Sequence, residues 1–197
     1  SRPVLTDSTQ ADAIHCGDPR RDGLMAARWE AWQYYRSRGY RVPFMTDGGE
    51  PITLACQISS GAALLWCAQN PDGMKRILMK LVTVEKNLAA FSAALDGREG
   101  TDFTYTGDDF SGLLSPRMYH ALAVPCYRLL YGSSQTRFMH SELLRAAHLR
   151  IARDEVGITM FHGAGCANLA LEELREIMGE HFWTQVTPAE MAGRSPA

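Results

Sequence analysis

The sequence has few of the features that identify a function at sight. It contains no CxxC pair, no HExxH motif and no basic run longer than Arg20-Arg21. No apolar run approaches the roughly 20 residues that a membrane-spanning helix needs, and residues 1–23 have no signal-peptide hydrophobic region. These absences predict a cytoplasmic chain that has no membrane partner.

Composition adds little that is specific. The 197 residues are 46% hydrophobic and 21% charged, with a net charge of -2. This is an ordinary soluble globular composition, and the length suits one generous domain. Because the basic residues are dispersed and the net charge is slightly negative, nothing general predicts a nucleic-acid partner.

The five cysteines favour a reducing compartment. Their number is odd, and Cys56, Cys67 and Cys126 lie inside apolar segments. A free cysteine in such a segment packs as a small hydrophobic residue. Stable disulfides are typical of oxidising compartments, so an unpaired, apolar set agrees with a cytoplasmic location.

Periodicity predicts an α+β protein with a strand-rich N-terminal half and a helix-rich C-terminal half. Predicted helices are 19–38, 84–95 (closed by Gly97), 136–155 and 167–179. Predicted strands or extended segments are 40–46, 52–59, 63–69, 74–83, 115–132 and 157–163, with an NPDG turn at 70–73 and a long polar loop at 98–112. These expectations rest on the 3.6-residue and 2-residue apolar repeats and on turn residues.

The predicted organisation is one domain with two flanking segments. Residues 1–18 are expected to be irregular, 19–186 to form a single α+β domain, and 187–197 to form a flexible tail. Within the domain, 40–132 is the strand-rich part and 133–186 the helix-rich part, which gives two small lobes with a cleft between them.

Gly61 and Lys80 carry the most specific expectation. A glycine between two paired strands lets the backbone approach a ligand closely. In the predicted sheet Gly61 occupies such a turn, and Lys80 lies near the end of the third strand. This layout would place one lysine over a gap of phosphate size.

In this segment the sequence resembles the N-terminal lobe of protein kinases. The matching residues are ISSGAALLWCAQNPDGMKRILMKLV, in which Ile77-Leu78-Met79-Lys80 stands where the family has its VAIK segment. WQYYRSRGYRV (32–42) and SPRMYHALAVP (115–125) are also similar to segments of kinase-like proteins found in basidiomycete fungi.

The resemblance continues into a degenerate catalytic loop. GITMFHGAGCANLAL (157–171) falls where the kinase catalytic loop is expected, with His162 as the loop histidine and Asn168 near the metal-binding asparagine. Ala164 stands in place of the catalytic aspartate, and no DFG follows. In kinases these two aspartates accept the substrate proton and hold Mg²⁺.

The kinase resemblance therefore implies a catalytically impaired domain. It would bind ATP or another nucleotide, with or without Mg²⁺, or a protein partner, through Gly61, Lys80 and Asn168. We expect weak phosphoryl transfer or none.

A second reading is a cysteine-dependent hydrolase or transferase, such as an effector or toxin domain. Cys166 directly precedes a predicted helix, whose N-terminus stabilises a thiolate. Its partner would be His162, or one of His120, His140 and His148 brought close by the fold. The sequence resembles cysteine hydrolases and acyltransferases that present the nucleophile at a helix start.

A third reading is an interaction module without chemistry. Its binding surfaces would be the aromatic-rich first helix and the polar loop. Asp102, Asp108 and Asp109 in that loop are expected to be solvated, although they can attract a cation or a basic partner. His140 and His148 lie two turns apart on one predicted helix, too far apart to chelate one ion, so no metal site is predicted.

Overall fold

The chain consists of a helical first part followed by alternating strands and helices. The computed structural model describes residues 3–44, 50–98, 102–165 and 168–185. The α-helices are α1 Gly23–Ser37, α2 Pro51–Ile58, α3 Ala63–Gln69, α4 Pro71–Asp96, α5 Pro116–Met118, α6 Val124–Tyr131, α7 Ala146–Ile151 and α8 Leu171–Met178. The strands are β1 Phe103–Gly107, β2 Thr136–His140, β3 Met160–Gly163 and β4 Phe182–Thr184. Short 3₁₀ turns cover Gln10–Ala13 and Phe110–Leu113, and π-helical turns cover Tyr119–Ala123 and Ala152–Val156.

The predicted mixed class of helices and strands is confirmed, but the individual segments differ. The three strands predicted at 52–59, 63–69 and 74–83 are wrong, because these residues lie in helices α2, α3 and α4. The NPDG sequence starts a helix instead of closing a hairpin. The Asn70 side chain accepts a hydrogen bond from the Gly73 amide at 3.0 Å, and Pro71 occupies the first turn, where its missing N–H costs nothing.

Burial explains why α4 is a helix. Its buried apolar residues recur at helical spacing, on the side that packs against α2, α3 and α6. They are Met74, Ile77, Leu78, Leu81 and Val82. A strand would have turned neighbouring residues to opposite faces, so this set could not have reached one core.

Two predictions in the second half of the chain are also wrong. Residues 116–131, predicted to be extended around Pro125, form a continuous helical segment through a π-helical turn. Pro125 lies in the first turn of α6, directly after that π turn. The helix predicted at 136–155 is divided into strand β2 and helix α7, and the polar loop predicted at 98–112 contains β1 and a 3₁₀ turn.

Other predictions agree with the structure. The helix predicted at 19–38 is α1, the strand at 157–163 is β3 and the helix at 167–179 is α8. Gly97 closes α4 with a positive φ of 64°, a left-handed conformation that glycine adopts without a steric penalty. The tail predicted at 187–197 lies outside the described residues, as does most of the loop predicted at 47–51.

The strands form one parallel sheet in the order β1-β2-β3-β4. One side of the sheet belongs to the core. It carries a row made of Thr106, Met139 and Phe161, all at most 1% exposed. These side chains join a core cluster that includes residues of α6, α7 and α8. Helical crossovers between consecutive parallel strands keep one hand, and so they lie on the same side of the sheet.

The other side of the sheet, here called the open face, has a different composition. Its residues are Phe103, Tyr105, Phe138, His140, Met160, His162 and Trp183. None of these described side chains is buried, and Phe103, Tyr105 and Trp183 are about half exposed (49–51%). Parallel sheets are usually covered on both faces, whereas the described residues leave this aromatic face partly exposed.

Within the described ranges, no single helix has the length and apolar composition needed to cross a membrane. Helices α2 and α3 meet that requirement by length and composition only as a pair, and their axes differ by 111° at the junction.

Candidate active site

The carboxyl ends of the parallel strands bring the titratable side chains of the open face together. One row of the strand register joins Gly107, His140, His162 and Trp183 across all four strands. In open parallel sheets this edge is where ligands bind, because the loops that follow the strands converge there. We therefore consider this row and the loops behind it as the candidate site.

The centre of the site is a pair of histidines in direct contact. The Nδ1 atoms of His140 and His162 are 3.0 Å apart, within hydrogen-bond distance. On the other side of the His140 ring, Nε2 is 3.6 Å from Oδ1 of Asp109, whose side chain is 37% exposed. The three groups thus form a line that runs from a carboxylate through two imidazoles.

The geometry of this line favours one arrangement of the ring protons. A neutral histidine has one N–H, so one Nδ1 must donate and the other must accept. The Asp109 carboxylate favours the N–H of His140 at Nε2. Nδ1 of His140 then accepts a hydrogen bond from Nδ1–H of His162, and Nε2 of His162 carries the lone pair of the neutral ring.

The surroundings of His162 favour its neutral form. Partial burial lowers the pKa of His162, and the neighbouring His140 lowers it further, while Glu142 opposes them. Phe138 stacks against the ring with an interplanar angle of 9°. A neutral His162 in this tautomer accepts a proton at Nε2.

Asp108, beside Asp109, points to the opposite side of the sheet and is buried. It accepts hydrogen bonds from Thr53 Oγ1 (2.8 Å), Tyr127 Oη (2.5 Å) and the Ser111 amide (3.2 Å). Burial raises the pKa of Asp108 to about 6 although these hydrogen bonds oppose the rise. The prediction of a solvated acidic loop is therefore wrong for Asp108, because the loop residues end a strand and enter the core.

Two glutamates complete the group of buried acids. Burial raises the pKa of Glu50 well above its usual range, with further rises from Asp108 and Glu85. Burial, followed by the charge of Asp108, raises the pKa of Glu85 to about 9. Among the described residues, Glu50 Oε2 and Glu85 Oε1 have no hydrogen-bond partner. Burial and the neighbouring acids therefore favour the protonated form of both carboxyls.

Gly107 brings the backbone of β1 close to Tyr105 and Glu50. A Cβ atom at this position would lie 3.0 Å from Tyr105 Oη and 3.5 Å from Glu50 Oε2. Because Gly107 pairs with His140 in the register, Glu50 borders the same row as the histidine pair. The Glu50 amide also donates to the Gly107 carbonyl at 3.5 Å, which ties the start of α2 to the end of β1.

Of the residues predicted to bind a nucleotide, Gly61 and Lys80 lie elsewhere. Gly61 connects α2 to α3 with a φ of 87°. Lys80 is exposed on α4, with Nζ 3.4 Å from Asp12 Oδ1. The strand hairpin that would have placed the lysine over a phosphate is not formed, since both residues belong to the helical first part.

The other residues predicted from the sequence lie in different parts of the fold. His162 is in the site, Asn168 donates a weak hydrogen bond to the Leu143 carbonyl (3.4 Å), and Cys166 lies outside the described residues. His120 is paired with Glu155, and His148 is buried with Nε2 2.9 Å from the Leu114 carbonyl. In the part of the chain that the structure describes, no group of three His, Cys, Asp or Glu side chains can hold a metal ion.

Sequence reasoning missed the partnership of His140 with His162. A signal was present, since Phe138-Met139-His140 and Met160-Phe161-His162 are two similar apolar-apolar-His endings. Had both been predicted as strand ends of one parallel sheet, their histidines would have been expected side by side.

Comparison of the sequence with models of protein families and with curated proteins finds no match. The function must therefore be argued from the geometry of the site.

Proposed function

We propose that the protein is an enzyme that uses general acid–base catalysis, with His162 as the base. The observation that supports this proposal most directly is the 3.0 Å contact between His140 and His162, with Asp109 behind His140. A nucleophile or base that is oriented by a second group, itself oriented by a third, is the usual arrangement of activated catalytic groups.

The proton transfers follow from the assigned hydrogen bonds. Nε2 of His162 takes a proton from a hydroxyl group or a water molecule at the open face, and the oxygen then attacks the substrate. The resulting imidazolium shares its charge through the Nδ1–H···Nδ1 hydrogen bond with His140, and Asp109 stabilises that charge. His162 then returns the proton to the leaving group. Such proton transfer contributes about 10²–10⁴-fold to a rate.

Glu50 supplies the complementary acid. Burial and the nearby Asp108 and Glu85 favour its protonated form, and it lies against Gly107 of the same row, so it can donate a proton or a hydrogen bond to an oxygen of the substrate. Groups whose environments move their pKa values in opposite directions, as for Glu50 and His162, are typical of paired acid and base roles. Hydrolysis or group transfer is the reaction class that needs both.

The structure bears differently on the two enzyme readings made from the sequence. Nucleotide binding in a kinase-like domain stays a prediction, and the positions of Gly61 and Lys80 do not support it. The cysteine-dependent hydrolase or transferase shares its reaction class with the present proposal and its histidine with the site. The role of Cys166 stays a prediction.

The proposal is tested first by the protonation pattern of the histidines. Nitrogen-15 NMR of the imidazole rings at neutral pH is expected to show His162 as the Nδ1–H tautomer and His140 as the Nε2–H tautomer. Replacing Asp109 by Asn is expected to weaken the preference of His140 for the Nε2–H tautomer. The opposite tautomers, or two freely exchanging rings, would contradict the assigned line of groups.

Catalysis is tested with p-nitrophenyl acetate as a generic ester probe. We expect hydrolysis that falls about 10²-fold or more in His162→Gln and less in His140→Gln. His120→Gln is the matched control, since this exposed histidine pairs with Glu155 far from the row. Equal rates in wild type, His162→Gln and His120→Gln would overturn the proposed role of His162.

A further inference from the structure

A second surface, distant in sequence from the histidine pair, combines arginines with exposed tyrosines. It comprises the end of α1 and the residues that follow, and we call it the arginine–tyrosine surface. Its members, all exposed, are Tyr34, Tyr35, Arg36, Arg38, Tyr40 and Arg41. The surrounding residues 31–44 contain no aspartate or glutamate. The charge of this stretch is therefore +3, although the whole chain carries -2.

The base of this surface is packed. Trp29 and Trp32 stack at 5.2 Å between ring centroids, and both rings contact Phe44 edge to face. Trp29 also contacts Phe91 of α4 at 6.0 Å. Since the tryptophans attach α1 to the rest of the molecule, the tyrosines and arginines beyond them are presented on an ordered support.

The arginines are available for an anionic partner. In the described part of the chain, no carboxylate lies within 4.0 Å of Arg36, Arg38 or Arg41. Two guanidinium groups lie over aromatic rings instead: Arg38 over Tyr34 at 5.0 Å and Arg36 over Trp32 at 5.5 Å. Rings that already hold an arginine on one face provide stacking and positive charge together.

The tyrosines present ring faces beside a groove. Tyr35 contacts Tyr34 at 5.6 Å and Tyr40 at 6.2 Å, in both cases edge to face. Their exposed fractions are 48–61%. Next to Tyr35 is a cavity of about 290 Å³, also lined by Trp32 and Phe44. A flat group can thus enter beside Tyr35 while a charged chain follows the arginines.

We propose that the arginine–tyrosine surface binds single-stranded nucleic acid. Such a ligand offers repeated phosphates for the arginines and unpaired bases for the rings, and proteins bind it by this combination. An anionic membrane fits less well, because the tryptophans that would enter it are packed against Phe44 and Phe91. An acidic peptide would leave the rings unused. The local charge thus revises the expectation drawn from the net charge alone.

Fluorescence anisotropy with a short labelled thymidine oligonucleotide tests this proposal on the full chain. Three arginine–phosphate contacts predict that log K falls with log salt at a slope of about -2, from about -0.7 per contact. Arg36→Gln with Arg38→Gln is expected to bring the slope to about -0.7. Tyr40→Ser is expected to weaken binding by about 5- to 100-fold, the effect of one lost base stack.

Matched control variants distinguish binding at this surface from a general effect of positive charge. Arg117→Gln with Arg175→Gln removes the same charge from exposed positions elsewhere, and Phe103→Ser removes an exposed ring from the sheet. We expect both to bind as wild type does, with unchanged melting temperatures in all variants.

Three results would overturn the proposal. One is that the control substitutions at Arg117 and Arg175 weaken oligonucleotide binding as much as those at Arg36 and Arg38. Another is equally strong competition by poly-glutamate, which would show a simple cationic patch. The third is preferential binding to phosphatidylserine vesicles over the oligonucleotide, which would assign the surface to a membrane.

Discussion

Asp108 and Asp109 are neighbours in the sequence and differ in almost every physical respect. Asp108 is 1% exposed and accepts hydrogen bonds from a hydroxyl of α2, a phenol of α6 and a backbone amide. Asp109 is 37% exposed at its side chain and lies 3.6 Å from a histidine of the open face. The end of one strand thus supplies a carboxylate to each side of the sheet.

The difference separates a structural role from a chemical one. Asp108 fastens α2, α6 and the 3₁₀ turn to the sheet, and through α2 it fixes the position of Glu50. Asp109 lies 3.6 Å from His140, and the same oxygen accepts a hydrogen bond from the Glu142 amide at 3.2 Å. If this division is right, changes on the core side will affect folding, and changes on the open face will affect chemistry.

Replacing Asp108 is expected to have the largest effect. In Asp108→Ala, the Tyr127 and Thr53 hydroxyls and the Ser111 amide lose their acceptor in the core. At about 1–3 kcal/mol for each unsatisfied buried group, we expect a loss of about 3–5 kcal/mol in the free energy of unfolding. Asp109→Ala is the control and is expected to cost less than about 1 kcal/mol. Urea denaturation measures both, and equal losses would contradict the division.

Substitutions at Met139 and Phe138 test the two faces of the sheet within one strand, β2. Met139→Ala removes a side chain that is 1% exposed and is expected to cost about 2–4 kcal/mol. Phe138 belongs to the open face and is not buried, so Phe138→Ala is expected to cost about 1 kcal/mol despite its larger side chain. Thermal and urea unfolding decide the order, and a greater loss for Phe138→Ala would mean that the open face is covered in solution.

The buried acids are expected to make the free energy of unfolding depend on pH, with a smaller effect than the two preceding substitutions. The pKa of Glu85 is about 9 in the folded protein, against 4.5 for a glutamate exposed to water. Between these values the folded state keeps a proton that the unfolded state releases, so stability falls as pH rises. The slope has an upper limit of about 1.4 kcal/mol per pH unit, and we expect a total loss on the order of 2 kcal/mol between neutral pH and pH 9.

Glu85→Gln removes the titrating group while keeping the shape of a protonated carboxyl. We expect a melting temperature that changes less between neutral pH and pH 9 than in wild type. Glu142→Gln, a control on the exposed side, is expected to retain the wild-type slope. An unchanged slope in Glu85→Gln would show that Glu85 is ionised in the folded protein.

The parts of the fold that were predictable have strong local signals. Helix α1 shows an amphipathic repeat and ends near Gly39, whose φ is 83°, and α4 ends at the predicted Gly97. The error at 52–83 arises because apolar runs with β-branched residues suit a buried helix as well as a strand. What decides between them is the packing of α2 and α3 on α4, which local sequence does not contain.

The site was predictable in its residues but not in its arrangement. His162, His140, Asp108 and Asp109 all drew attention in the sequence, but none of them for a partnership between the two histidines. Their relation depends on β1, β2 and β3 being adjacent and in register, which is a long-range property. Glu50 gave no signal, because the rise of its pKa follows from burial and from the acids that the fold places near it.

The order β1-β2-β3-β4 also bears on how the protein is made. Each strand pairs with the strand that precedes it in the chain. During synthesis on the ribosome, every new strand therefore finds its template already in place and joins the growing edge without waiting for a distant segment. The paired residues are only 21–33 positions apart in the chain, so each edge waits for one helical crossover and not for a remote part of the sequence.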